Sequence, residues 1–311
     1  MASPAAAPGH PAPDRASVDP DCPLCGGIER HARFREGPWT VVACADCGLT
    51  YVTPRLSAQQ LLEQVYDESY WRSPAPRERG YLDYLGDAPL NLATFRRRLR
   101  GLGRWLPAPG RALDVGCGAG DFLRALAERG WEVAGVEPSH AAREAAARRL
   151  GVGVVRAGTL EQADLRPASF ALVTLWDVLE HVPDPVRMLR TVRRLLRPGG
   201  RLVVETQDVA SPLARLLGRR WHHYKHAEHL VHFHEATLRR ALQQAGFEPL
   251  TFRAAPGGKY VSRAFVLERS ARLHPALPRL LAPLAALLPR HMWIDLCDEL
   301  VCVAVPREER G

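Results

Sequence analysis

The sequence predicts a doubly wound α/β fold, with a seven-stranded and mostly parallel sheet, behind a small cysteine-bearing module. Three observations predict it. Beyond Pro107, Pro109 and Gly110, seven short apolar runs alternate with amphipathic segments of helical length, the pattern of βαβ units with right-handed crossovers. The first of those runs ends in a turn carrying Gly116, Gly118 and Gly120. Ahead of the alternation stand four cysteines in two pairs.

Composition sets the outer bounds. The 311 residues are 46% hydrophobic and 24% charged, which excludes wholesale disorder and suits one large domain plus a small accessory one. The formal charge of +8 favours anionic partners in general, yet the basic residues are scattered. Only 96–100 and 193–197 cluster, as solvated helix faces, so a nucleic-acid partner is not expected. No charged segment followed by an apolar core opens the chain, and the apolar stretch 280–288 is interrupted by Pro283 and too short to span a bilayer. A cytoplasmic protein is the expectation.

Residues 1–20, rich in Ala, Pro and Gly without hydrophobic period, are expected to form a disordered tail. Residues 21–55 carry Cys22, Cys25, Cys44 and Cys47 as Cys-x2-Cys-x18-Cys-x2-Cys, inside the range of a closed structural zinc site. Two hairpin-like knuckles with an intervening strand, 39–43, follow from that interval. Residues 56–108 read as a helical bridge, with Leu61, Leu62, Val65 and Tyr66 on one face and Leu92, Phe95, Leu99, Leu102 and Trp105 on another. The strands of the main domain, 109–311, are placed at 112–115, 132–137, 152–156, 170–175, 201–205, 249–254 and 300–305. Helices are placed at 120–129, 139–150, 185–197 and 235–245. Ligand chemistry belongs at the carboxyl ends of such strands.

The segment ALDVGCGAGDFL, 112–123, is a buried strand running into a glycine turn and a helix, where backbone must approach a ligand closely. A dinucleotide loop would carry a third glycine where Asp121 stands, so that a pyrophosphate could sit on the helix N-terminus. A carboxylate there repels a pyrophosphate but tolerates a cofactor bearing an ammonium and a sulfonium. Glu137, at the tip of the second strand, is 23 residues beyond Asp114 and placed to accept both ribose hydroxyls of a nucleoside.

From about Gly110 to Phe252 the chain resembles the class I S-adenosylmethionine-dependent methyltransferases, with their Rossmann-like fold. The glycine loop carries that resemblance together with Glu137, SFALVTLWDVLEHVPDP (169–185), LLRPGGRLVVET (195–206) and LRRALQQAGFEPL (238–250). It implies that Asp114, Gly116, Cys117, Gly118 and Gly120 lie around the methionine part and that Glu137 holds the ribose. Pro138, Ser139, Gly158 and Thr159 would border the adenine, and Trp176 and Asp177 the cofactor-facing edge of the acceptor pocket. CPLCG followed by CADCGLTYVTPR is similar to zinc modules at the N-termini of bacterial methyltransferases of this type.

His181 follows the fourth strand, where methyl group and acceptor should meet. The stretch WHHYKHAEHLVHFHEATL, 221–238, holds six of the twelve histidines, with no open-site spacing such as His-Glu-x-x-His, so a metal is not expected there. Its EHLVHF segment looks like the pocket-facing part of small-molecule members of the family, which makes His229 and His232, with His181, candidates to orient or deprotonate an acceptor. The amphipathic insertion 269–296 is expected to cover the sheet or the pocket, with a dimer contact or peripheral membrane association as alternatives. The expected activity is methyl transfer to oxygen, nitrogen or carbon of a small molecule, including a sugar, lipid-linked or natural-product acceptor. Its rivals are an RNA methyltransferase and a cofactor-binding scaffold. Between the two cysteine pairs the only arginines or lysines are Arg30, Arg33 and Arg35, sparse for reading RNA.

Overall fold

A computed structural model describes residues 17–66, 68–73, 80–271, 274, 276–285 and 287–307. Most of the expected tail lies outside the described residues; at its end Val18 bridges Arg55, so the chain is already paired there. Three short strands open the fold: β1 (Arg30–Glu36), β2 (Trp39–Cys44) and β3 (Thr50–Thr53). They are joined by knuckles in which Gly26 and Gly48 follow the second cysteine of each pair with φ of 72° and 75°. The bridge holds a single turn α1 (Ala58–Gln60), a π-turn (Leu61–Val65), a 3-10 turn (Glu68–Arg72) and the long helix α2 (Ala88–Leu102).

The main domain continues with β4 (Arg111–Val115), α3 (Asp121–Ala127), β5 (Glu132–Glu137), α4 (His140–Leu150), β6 (Val155–Ala157) and β7 (Phe170–Trp176). After these come α5 (Pro185–Leu195), β8 (Leu196–Gln207), α6 (Pro212–Leu217), β9 (Val231–His232), α7 (Glu235–Gln244) and β10 (Phe247–Thr251). The C-terminal elements are β11 (Lys259–Ser262), α8 (Arg263–Ser270), α9 (Leu277–Ala285), β12 (His291–Ile294) and β13 (Glu299–Pro306).

The central sheet has the order β10-β13-β8-β7-β4-β5-β6. Strands β8, β7, β4, β5 and β6 run parallel, while β13 is antiparallel to both its neighbours. All seven expected strands are present. β6 is shorter than expected because Val152 is 95% exposed and stays out of the sheet. β8 starts earlier, at Leu196, and absorbs Pro198-Gly199-Gly200 through a register shift against β7. β7 is buried along its whole length, as expected of a central strand covered on both faces. α5 begins at Pro185 with Asp184 as N-cap accepting from the Arg187 amide, and turns Val186, Leu189 and Val192 inward.

The parts named in the sequence are not separate bodies. Leu92, Leu99 and Leu102 of α2 share a core with Ala112, Phe122, Leu126, Val203 and Val303 of the main domain. The module's sheet has four strands, β1-β2-β3-β9, and its last strand comes from the histidine-rich segment, with Thr50 opposite His232 and Tyr51 opposite Val231. From the insertion, β12 pairs antiparallel with β11 in a separate two-stranded sheet. The outer side of α9 is uncovered, with Leu280 68% and Leu284 61% exposed. No helix among the described residues is long and apolar enough to cross a membrane.

Candidate functional site

A cavity of about 300 Å³ opens at the carboxyl ends of the parallel strands. Asp114, Gly116, Cys117 and Gly118 from the β4–α3 loop line it, with Glu137 and Pro138 after β5, Gly158 and Thr159 after β6, Trp176 and Asp177 after β7, and His181. Gly116 sits at φ 67°, where a Cβ would meet Val178 Cγ2 at 2.8 Å, so no other residue fits there without displacement. Gly118, at φ 51°, faces Tyr84 and Trp71.

Glu137 is held rigidly. One carboxylate oxygen accepts from the Gly118 amide and the other from the Ser139 amide, both at 2.9 Å. Burial pushes its pKa up to about 7 against those bonds. Asp114 accepts from the Thr174 hydroxyl at 2.6 Å, and burial pushes it up to about 8. Two buried acids with raised pKa values in one cavity favour a ligand that brings hydrogen-bond donors or positive charge. Asp177, at φ 51°, accepts from Gln207 Nε2 at 2.7 Å. The Thr159 amide donates to Gln162 Oε1 at 2.8 Å and is therefore already engaged.

The other end of the cavity is aromatic. His181 follows β7 on a 3-10 turn, and its Nδ1 lies 2.8 Å from the Tyr66 hydroxyl. Burial lowers the His181 pKa, so the imidazole is neutral at physiological pH. Tyr66, Tyr70, Trp71, Tyr81 and Tyr84 continue as a chain of edge-to-face contacts with centroid separations of 4.8 to 5.5 Å. Trp71 Nε1 donates to Ser139 Oγ at 2.6 Å, tying the bridge to the N-cap of α4. Arg98 of α2 is buried over the Trp176 ring at 5.1 Å and donates to Glu205 at 2.8 Å and Glu299 at 3.1 Å.

Four of the expected site residues do not line the cavity. Gly120, at φ 77°, faces α4, where a Cβ would strike Leu150 Cδ1 at 2.7 Å; its role is helix packing. Ser139 is engaged by Trp71 and caps α4. His229 stands one layer behind, its ring edge-on to His181 at 4.7 Å and its Nδ1 donating to the His223 carbonyl at 2.7 Å. The expectation that His232 faces the acceptor gives way: it is 1% exposed on β9, and neither ring nitrogen has a hydrogen-bond partner. Its ring packs instead edge-on to Tyr224 at 4.8 Å, beside Trp221 and His229 of the same segment. Asp121 does not line the cavity either; it pairs with Arg149 at 2.8 Å, so its charge is partly met inside the fold.

The aromatic wall was not legible as a site in the sequence, where the bridge reads only as helix faces. Its signal was the density of Tyr and Trp between 66 and 84. Glu228 of the EHLVHF segment reaches the same wall from behind: it pairs with Lys225 at 2.8 Å, and Lys225 donates to the Gly80 carbonyl at 2.8 Å.

The cysteine pairs converge. Cys22 and Cys47 Sγ lie 3.5 Å apart, as do Cys25 and Cys44 Sγ, and all four fall within 4.8 Å of one another. A tetrahedral thiolate site with bonds of about 2.3 Å has edges of roughly 3.8 Å, so the set fits a zinc-class ion. Backbone amides of Leu24 and Cys25 point at Cys22, and those of Asp46 and Cys47 at Cys44, the inward-pointing donors that a thiolate knuckle needs. Burial pushes the Cys22 thiol up to about 11, so an ion would bind with release of thiol protons. Within the cavity region, Glu180, His181 and His229 also bring ligand atoms within 4.8 Å. There Glu180 is already engaged by Thr206 at 2.9 Å and by Gln207.

Comparison with known proteins agrees with this architecture. Residues 84–251 match the family model described as a methyltransferase domain. A ubiquinone biosynthesis O-methyltransferase of Idiomarina loihiensis is 38% identical over 103 residues, 31% of this chain and 42% of the relative. One from Xanthomonas euvesicatoria is 32% identical over 172 residues, 50% of this chain and 68% of the relative. The chain thus spans about two fifths of the length of the first of these relatives. Among solved structures, a SAM-dependent methyltransferase of Thermotoga maritima aligns with TM-score 0.47 at 24% identity, covering 72% of this chain and 95% of that one. One from Mesorhizobium loti aligns with TM-score 0.45 at 22% identity, covering 67% and 97%. The family model takes in more than half of the 311 residues, across the glycine loop, Glu137 and the segment after β7, and the chain belongs to the methyltransferase-domain family.

Proposed function

We propose that the protein transfers a methyl group from S-adenosylmethionine to an oxygen of a small-molecule acceptor. The observation that carries this reading is the continuity of one cavity. Asp114, the glycine loop and Glu137 form one end, and Tyr66 with His181 the other. Relatives named as O-methyltransferases favour oxygen over nitrogen or carbon.

When bound, S-adenosylmethionine supplies a methyl group activated on a positively charged sulfur. The remaining work falls to the chain. Glu137, fixed by two backbone amides, has lone pairs left to accept both ribose hydroxyls. Asp114 lies where it offsets positive charge on the amino-acid end, and Pro138 and Gly158 border the base. The aromatic wall excludes water and orients the acceptor for in-line displacement, a positioning effect of about 7–11 kcal/mol at best. Nε2 of His181 is turned toward the Glu180 carboxylate at 3.8 Å and the Glu228 backbone carbonyl, so Nδ1, on the Tyr66 side, is the nitrogen left with a lone pair for the proton of a hydroxyl acceptor. His229, edge-on behind it, is a positioning residue. The four cysteines hold a structural zinc ion that braces the sheet shared with β9.

The test is incubation of methyl-labelled S-adenosylmethionine with the purified protein and bacterial extract, separated into small-molecule, lipid, RNA and protein fractions. Label in the small-molecule or lipid fraction is expected. Label confined to RNA would move the assignment to nucleic acid, and cofactor binding without turnover in any fraction would favour a scaffold.

A further inference from the structure

The histidine-rich segment offers no metal-binding spacing by itself, but the fold brings it a third ligand from far along the chain. His222 and His223 sit on one turn after Trp221, and Asp298 immediately precedes β13. Nε2 of His222 and Nε2 of His223 each lie 3.7 Å from Asp298 Oδ2, and the three ligand atoms fall within 4.8 Å of one another. At 3.7 Å these groups are too far apart to hydrogen-bond. The spacing is close to the edge of roughly 3.3–3.6 Å between ligands sharing one tetrahedral ion at bonds of about 2.0–2.2 Å.

Two further observations point to a ligand. His223 is 8% exposed, and its Nε2, aimed at Asp298, has no hydrogen-bond partner. An unsatisfied buried ring nitrogen is costly unless something occupies its lone pair. Asp298 is oriented as metal-ligating carboxylates are, its Oδ2 accepting from Trp221 Nε1 at 2.8 Å. His222 and Asp298 also line a second cavity of about 330 Å³, whose walls include Asp295, Glu299, Lys259 and Arg269.

We propose that His222, His223 and Asp298 form a second metal site, for a divalent transition ion of the zinc class, at the wall of this second cavity. Two neutral imidazoles and one carboxylate make an open set, leaving a coordination position for water or a ligand. The ion would clamp the turn after Trp221 to the start of β13, where the Asp208 amide already donates to the Asp298 carbonyl at 2.8 Å. The proposal is independent of the methyl acceptor and of the cysteine cluster.

Cobalt(II) titration of the chelator-stripped, untagged full chain tests it, read by bound-metal stoichiometry and by visible absorption. Sulfur-to-metal charge transfer marks the cysteine site; a further equivalent lacking that band marks this one. His222→Gln, at a half-buried position, and Asp298→Asn, which keeps an acceptor for Trp221, are each expected to weaken only the second equivalent, by roughly tenfold or more. Should Asp298→Asn fail to fold, His222→Gln carries the test alone. Absence of the second equivalent from the unsubstituted chain, or its persistence with unchanged affinity in His222→Gln, overturns the proposal.

Discussion

The Tyr66 hydroxyl lies 2.8 Å from Nδ1 of His181, across 115 positions of sequence, and joins the bridge to the end of the central strand. Removing the hydroxyl in Tyr66→Phe should lower kcat about tenfold, the scale of one hydrogen bond of about 1.4 kcal/mol, while leaving the dissociation constant for S-adenosylhomocysteine unchanged. His181→Gln should cost roughly 10² to 10⁴ in kcat. Because burial lowers the His181 pKa below its usual 6.5, the rate should stay level as pH falls to that value and decline only in more acid solution. A profile with its midpoint at or above 6.5 would contradict the assignment.

Cofactor affinity should depend on pH through Glu137 and Asp114. Burial raises these acids to about 7 and about 8, so each is substantially protonated near neutrality before ligand enters. A ligand that prefers the ionised carboxylates must release those protons, so its affinity should rise as pH increases from 6 to about 8 and then level off. Calorimetry in buffers of different ionisation enthalpy reads the protons released. Glu137→Gln should weaken binding by roughly tenfold or more, with little of the pH dependence assigned to that residue.

Gly116→Ala tests the loop. At φ 67°, with Val178 Cγ2 2.8 Å from the new methyl group, it should lose about 1–2 kcal/mol of stability in denaturant melts, together with cofactor affinity.

Cys22→Ser should release the zinc and loosen the module's sheet. Metal analysis should fall by one equivalent, and amide exchange should quicken at Thr50 and Tyr51, whose strand pairs with β9. A folded variant retaining its zinc would exclude the tetrathiolate.

His232 carries the sharpest stability prediction. Burial lowers its pKa from 6.5 to about 3, so the unfolded chain takes up a proton there that the folded chain refuses. Between those values the wild type loses about 1.4 kcal/mol of stability per pH unit at this group as pH falls. His232→Leu removes that loss. Its stability relative to the wild type should be level above pH 6.5 and rise progressively below it, measured by thermal melts at several pH values.

Much of the fold was legible because its signals are local. β7 reads as a continuous apolar run, and Asp184-Pro185 marks the start of α5 through a cap and a ring-fixed φ. Asp114, Gly116 and Glu137 were recognisable for the same reason, a strand, a turn and a carboxylate at fixed spacing. His232 was not, since the choice between cavity and core depends on β9 joining β3, a pairing across about 180 residues that no periodicity encodes. Asp298 was invisible as a partner of His222 and His223 for a related reason: its meaning comes from the antiparallel placement of β13 against β8. The aromatic wall falls between, its composition plain in the sequence and its closure over Gly118 set only by tertiary packing.

A crystal structure of the full chain with S-adenosylhomocysteine tests the central claim most directly. The expected result places the ribose hydroxyls on Glu137, the base beside Pro138 and Gly158, and the sulfur facing the wall formed by Asp177 and His181. A nucleoside seated elsewhere, or one leaving Glu137 without contact, would contradict it.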